Sequence, residues 1–179
     1  MNIKTITKQF IFASLIMLLL VFIADAQEIK KTENNCPDAN GLTEAEISEL
    51  LETHKKARAD VNLPPLTWSC KLANLAQVWA NRGVFEHHTD FEFGENIAGT
   101  EAADASPIVN VQNWLLEKSF WDNAGAKCQT GKVCYHYTQI VWKDTTEIGC
   151  GINRKSTGKT KALLVCNYDP PGNFPGPAY

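Results

Sequence analysis

Six cysteines, at positions 36, 70, 128, 134, 150 and 166 of a 179-residue chain, constrain what it can fold into more than any other feature. An even number in a short chain reads as disulfides in an oxidising compartment, and as ligands or free thiols elsewhere. The N-terminus speaks to the compartment. Lys4 and Lys8 precede an apolar run from Phe10 to Ile23, and Ala24-Asp25-Ala26 follows as a small-x-small cleavage pattern. That run has 14 residues, short of the roughly 20 that span a bilayer. Residues 1–26 are therefore expected to be a signal peptide, and the chain to be secreted, extracellular and without a transmembrane span after cleavage.

Removing 26 of 179 residues leaves 153, and every cysteine lies among them. Three disulfides are then the expectation, although spacing alone leaves fifteen pairings open. No C-x-x-C pair is present, which disfavours a zinc–thiolate site, and no N-x-S/T sequon marks a glycosylated asparagine. The hydrophobic fraction is 44% and the charged fraction 21%, the balance of a packed domain. Cleavage takes two lysines and one aspartate, so 17 basic side chains become 15, 20 acidic become 19, and the net charge is −4. Such a balance excludes the basic excess of a nucleic-acid binder.

Residues 27–43 form a polar N-terminal extension, and a single domain occupies 44–179. Thr43 and Glu46 make a capping box, with Leu42 and Ile47 as a hydrophobic staple. Ile47, Leu50, Leu51, His54, Ala57 and Arg58 recur on one side of the helix that follows, and Pro64-Pro65 ends it. A second helix is predicted over 69–81, with Leu72, Leu75, Ala76 and Trp79 inward and Gly83 just beyond it. The stretch 84–105 reads as mostly irregular. Ser106 and Pro107 open a third helix reaching about Phe120, with Ile108, Val111, Trp114 and Leu115 toward the core.

The last third changes character. Residues 135–142 read as a strand with His136, Thr138, Ile140 and Trp142 on one side. Residues 147–153 and 162–168 read as two more strands, joined by a polar hairpin over 154–161. The tail 169–179 holds four prolines and is extended. Helices first and strands last imply a layered α/β or α+β domain.

Candidates for chemistry are few. There is no G-x-S-x-G elbow, no H-E-x-x-H helix and no phosphate loop. What remains is four histidines (His54, His87, His88 and His136) with carboxylates such as Glu95 and Glu117. These are the material of divalent-metal binding or acid–base chemistry. Each histidine taken alone is an ordinary hydrogen-bonded residue.

Longer motifs say more. The stretch CYHYTQIVW from Cys134 to Trp142 is close to C-G-H-Y-T-Q-V-V-W, and CNYDPPGN from Cys166 to Asn173 matches C-N-Y-x-P-x-G-N. GENI from Gly94 to Ile97 matches G-E-N-[IL], His54 and Arg58 fit H-N-x-x-R with Lys55 for asparagine, and Leu66 to Trp68 fits L-x-W. Together they resemble the CAP superfamily: the cysteine-rich secretory, antigen 5 and pathogenesis-related 1 proteins, with their SCP-like extracellular domain. The resemblance runs over 44–179.

It implies an α/β fold, a three-layer α-β-α sandwich with a central, mainly antiparallel sheet. It also implies a cleft tetrad of two histidines and two glutamates. Carried over by position these are His87, Glu95, Glu117 from the W-x-x-E of Trp114 to Glu117, and His136. His88-Thr89 is the alternative to His87. The metal ligands would be His87 and His136, holding a weak divalent cation such as zinc; no cofactor is required. His54 is assigned a packing or surface role. The implied pairings are Cys150–Cys166, Cys128–Cys134 and Cys36–Cys70. A further bridge of plant-type members, between the positions of Gly83 and about Lys155, lacks both cysteines here.

The function implied is a secreted, non-enzymatic protein, acting in defence, host interaction or other extracellular roles. It would bind sterols or other small lipids in a groove beside the helices, near the cluster of Trp114, Phe120 and Trp121. Alternatives are a module for protein–protein or cell-wall interaction, and a metal-assisted hydrolase. The hydrolase needs either a metal-bound water or a side chain such as Ser119 as nucleophile. The expected state is a monomer.

Overall fold

The computed structural model describes residues 36, 40–89, 92–156 and 159–179. The expected signal peptide and most of the 27–43 extension lie outside the described residues. Among the described residues, four α-helices and six strands follow in the order α1 (Glu44–Ala59), β1 (Thr67–Trp68), α2 (Cys70–Ala80), β2 (Gly94–Thr100), α3 (Pro107–Leu116), β3 (Trp121–Asp122), β4 (Lys127–Cys128), α4 (Tyr135–Ile140), β5 (Glu147–Asn153) and β6 (Ala162–Asp169). A 3-10 turn, Glu117–Phe120, continues α3.

Local chemistry explains the helix starts. The Thr43 hydroxyl accepts from the Glu46 N–H while the Glu46 carboxylate accepts from the Thr43 N–H, a complete capping box. Ser106 caps α3 through the Ile108 N–H, with Pro107 at its first position. The main sheet has the order β1-β5-β6-β2, antiparallel except for the short parallel pair β1–β5. β5 and β6 form the expected hairpin.

The period of two along β6 feeds two cores. Leu163 and Val165 face Ala76 and Ala80 of α2, together with Ile97 of β2. Leu164, Cys166 and Tyr168 face Leu50 of α1, Val111 and Trp114 of α3, and Tyr137 and Ile140 of α4. One helix on one face and three on the other make the α-β-α sandwich. Gly149 and Gly151 set the spacing on the α2 side: a Cβ on either would lie 2.2 Å from the Ala73 nitrogen or 2.4 Å from the Gln77 nitrogen. Without side chains there, the helix backbone rests directly on β5.

All three disulfides form with the pairing implied by the family resemblance: Cys36–Cys70, Cys128–Cys134 and Cys150–Cys166. Cys150 and Cys166 are directly opposite on β5 and β6. No helix among the described residues is long and apolar enough to cross a membrane.

Three expectations are corrected. Residues 135–142 are not a strand; 135–140 are helix α4. Tyr137, Thr138, Gln139 and Ile140 are buried in succession, so this segment is enclosed on all sides and its period carries no information. The 84–105 stretch contains β2, an edge strand whose two glycines and single β-branched aliphatic residue hide it until β6 pairs with it. Leu75 is 37% exposed rather than inward, because Leu72, Ala73 and Ala76 form the face that meets the sheet.

Candidate functional site

The tetrad residues assemble as two imidazole–carboxylate pairs. Glu117 ends α3, and one of its oxygens lies 2.6 Å from His136 Nδ1. The other accepts the backbone N–H groups of His136 and Tyr137 at 3.0 and 3.1 Å. Those are donors in the first turn of α4, which no helical carbonyl can satisfy. Glu117 therefore starts the helix that carries His136 and aims its ring. Trp114, one turn earlier on α3, stacks under that ring with centroids 5.6 Å apart and planes 8° from parallel.

In the second pair, Glu95 of β2 accepts at one oxygen from His87 Nδ1 at 2.9 Å and from the His88 N–H at 3.0 Å. His87, not His88, puts its ring on this carboxylate. The His88 ring packs on Trp79, with centroids 4.3 Å apart. The two pairs differ in exposure: the His87 side chain is 63% exposed over a Glu95 side chain 6% exposed, and His136 is 26% exposed. The second Glu95 oxygen is buried with no partner among the described residues. In each pair a carboxylate fixes Nδ1, so Nε2 is the nitrogen left to meet a ligand. Among the described residues no three His, Cys, Asp or Glu side chains converge closely enough to hold a metal together.

Asn96 joins the pairs. Its amide donates to the His136 carbonyl at 3.1 Å and to the Tyr168 hydroxyl at 3.3 Å. That hydroxyl lies 3.0 Å from His54 Nε2, while His54 Nδ1 donates to the Leu50 carbonyl at 2.8 Å. The carbonyl can only accept, so Nδ1 carries the proton and Nε2 accepts from Tyr168. Burial, above all, lowers the His54 pKa to about 4 and pushes the Tyr168 hydroxyl up. His54 is thus a fully buried, neutral packing residue.

Gln139 is a second meeting point of the motifs. Its side-chain oxygen accepts the Gly172 N–H at 2.9 Å, and a Cβ on Gly94 would sit 2.1 Å from that oxygen. One buried amide therefore ties the Gly94, Gln139 and Gly172 motifs together. Arg58, also fully buried, donates to the carbonyls of Pro64, Ile140, Trp142 and Thr145 at 2.7–3.0 Å. The charge is dispersed over four backbone dipoles with no carboxylate needed.

Asn96, Gln139 and Tyr168 were not singled out by the sequence as positioning residues, although each stands inside a quoted motif. Ser119 donates to the Leu116 carbonyl at 2.9 Å, and no histidine among the described residues hydrogen-bonds to it. A groove of about 400 Å³ runs between α1 and α3 over Ala57, Ile108, Leu115 and Tyr137, with Glu49, Glu52, Asp60, Lys56 and Lys118 also lining it. Trp114, Phe120 and Trp121 do not line it: Trp114 is 4% exposed beneath His136.

A three-layer sandwich carrying two carboxylate-oriented histidines beside a disulfide-tied hairpin is the architecture of CAP domains. The chain belongs to the cysteine-rich secretory protein family, whose model matches residues 51–168. It is 36% identical over 131 residues to pathogenesis-related protein 1A of Nicotiana tabacum, covering 72% of this chain and 77% of that one. Pathogenesis-related protein PRMS of Zea mays is 34% identical over 170 residues, 92% of this chain and 93% of the other. Among solved structures, venom allergen-like protein 4 of Schistosoma mansoni is 31% identical with a TM-score of 0.62, covering 77% and 95%. The fold also matches NaASP2, solved with Zn2+, at 23% identity and a TM-score of 0.66, covering 80% and 88%.

Proposed function

We propose that this protein is a secreted, non-enzymatic member of the family. It would act in defence or host interaction by holding a sterol or fatty lipid in the groove between α1 and α3. The groove carries this reading: an apolar floor of Ala57, Ile108 and Leu115 suits a hydrocarbon skeleton. Its rim sets Lys56 and Lys118 beside Glu49, Glu52 and Asp60, with Lys118 paired to Asp60 at 3.4 Å, and suits an uncharged polar head such as a hydroxyl. The pathogenesis-related names of its relatives support the defence role. Three disulfides and the apolar leader support secretion.

The test is retention of labelled sterol or fatty acid by the purified, delipidated protein at micromolar concentration. Binding that disappears in Leu115→Trp, which fills the groove, is the expected result. A wild-type protein that retains neither ligand overturns the reading.

The same reading gives the tetrad a divalent cation such as zinc, held by Nε2 of His87 and of His136. The fixed Nδ1 atoms suit it, since each turns Nε2 toward a ligand. Two nitrogens fall short of the three protein ligands usual in catalytic zinc, so a weak site is meant. Calorimetric titration with zinc, repeated on His136→Ala, tests it: heat that is unchanged in the variant removes the site from the tetrad.

A further inference from the structure

The charge of this chain is −3 overall, yet one face is basic. Arg82 follows α2, and Lys155, Lys159 and Lys161 stand on the connection between β5 and β6; all four are exposed and none is in an ion pair among the described residues. Hydrogen bonds make these segments one surface. The Ser156 hydroxyl donates to the Gly83 carbonyl, the Asn153 amide to the Ala80 carbonyl, and the Lys161 N–H to the Thr100 carbonyl. Glu86, Glu101 and Asp104 are exposed acidic residues in the flanking segments.

The same surface is apolar where a solvated face should not be. Val78 is 68% exposed, Phe85 60% and Val84 41%. Single exposed apolar residues are ordinary, but these three fall within eight residues and stand among the cations. Arg82, just past the end of α2, lays its guanidinium over the Trp79 ring, 4.0 Å from its centroid, one residue on from Val78. Phe85 reaches over Gly99, where a Cβ would lie 3.6 Å from its ring and 2.8 Å from the Thr160 methyl group.

We propose that this face, formed by the end of α2, residues 82–85 and, from the β5–β6 connection, residues 155, 156 and 159–161, docks the protein on a lipid bilayer bearing anionic head groups. The cations meet the phosphates while Val78 and Phe85 enter the interface between head groups and acyl chains. A soluble polyanion would use the lysines and leave Phe85 in water, so the mixed chemistry favours the bilayer. This does not draw on the groove between α1 and α3. Docking and lipid retention are read by separate assays, and either can fail alone.

The experiment is co-sedimentation of the full secreted protein with vesicles of phosphatidylcholine mixed with phosphatidylglycerol, against phosphatidylcholine alone. Binding to the anionic vesicles that weakens with added salt is expected. Lys155→Gln with Lys161→Gln should weaken it about thirtyfold, at the energy usual for two charges near such a surface. Phe85→Ser should weaken it about tenfold. Both changes are at exposed positions, and unfolding curves confirm that each variant folds. Absence of binding to anionic vesicles, or equal binding to neutral ones, overturns the proposal. Binding undisturbed by Phe85→Ser but displaced by heparin overturns it in favour of a soluble polyanion.

Discussion

His54 and His136 are joined through Tyr168 and Asn96, yet they answer to different demands. His54 is wholly buried, and both of its ring nitrogens are taken, by the Leu50 carbonyl and the Tyr168 hydroxyl. Among the described residues, His136 lies at the cleft with only Nδ1 taken, by Glu117. The difference teaches that hydrogen-bond saturation, rather than the presence of histidine, separates a structural imidazole from one available to a ligand. Changes on the interior side should therefore unfold the protein, and changes on the cleft side should leave it folded.

The largest effect is expected at the interior end of that contrast. Arg58→Ala would leave the Pro64, Ile140 and Thr145 carbonyls without their donor, the Trp142 carbonyl keeping the Thr145 N–H, and open a cavity. A loss of about 4 kcal/mol or more follows from penalties of roughly 1–3 kcal/mol per stranded buried group. Urea unfolding of the variant, or failure to recover it folded, checks this. A loss near 1 kcal/mol would mean that water replaces the guanidinium and that the interior is looser than its hydrogen bonds imply.

The His54 prediction is one of pH. Unfolded, the imidazole takes up a proton near its ordinary pKa of 6.5; folded, it does so only at about 4. Between those values the unfolded chain holds more protons, so stability falls as the pH falls. The contribution is complete above about 6.5, shrinks by about 3 kcal/mol down to about 4, and then stays level. His54→Gln should flatten unfolding free energy against pH over that window. A slope unchanged in His54→Gln would break the comparison.

How much of this was readable beforehand follows from where the forces lie. α1, α2 and α3 were legible because capping residues and a one-sided apolar pattern are local. The β5–β6 hairpin was legible because two short apolar runs flank a polar, glycine-containing connection. α4 was not: the cap of its first turn comes from Glu117, 18 residues before Tyr135, and its last four residues are buried in succession. β2 was missed because pairing with β6 makes it a strand, not its own residues. The four tetrad positions came from resemblance to known motifs, since no local rule brings His87 to Glu95 or His136 to Glu117. The same resemblance marked Gly83 and the neighbourhood of Lys155 as the place of a lost bridge. In the fold, Gly83 is held to that hairpin by the Ser156 hydroxyl.

Glu117 stands on the boundary between the two regions, and its effect should be intermediate. Glu117→Ala removes the acceptor of two first-turn N–H groups and the negative charge at the start of α4. A cost of about 1–2 kcal/mol is expected. His136 would also lose its fixed Nδ1, so any ligand affinity of its ring should fall in the same variant. A variant as stable as the wild type would show that α4 starts without its distant cap.

His87→Ala should change stability least, and for a reason the contrast supplies. Its side chain is 63% exposed, so little apolar area is lost, and exposed substitutions usually stay within about 0.5 kcal/mol. What it removes is a hydrogen bond to Glu95 Oε1, an oxygen that still accepts the His88 N–H. Glu95 therefore keeps a partner, unlike the carbonyls stranded by Arg58→Ala. Thermal unfolding within the error of the wild type, measured at the same pH, is the expected outcome. A loss of 2 kcal/mol or more, against roughly 0.5–1.5 kcal/mol for an ordinary hydrogen bond, would move His87 to the structural side of the molecule. It would also leave His136 as the one cleft imidazole free to serve a ligand.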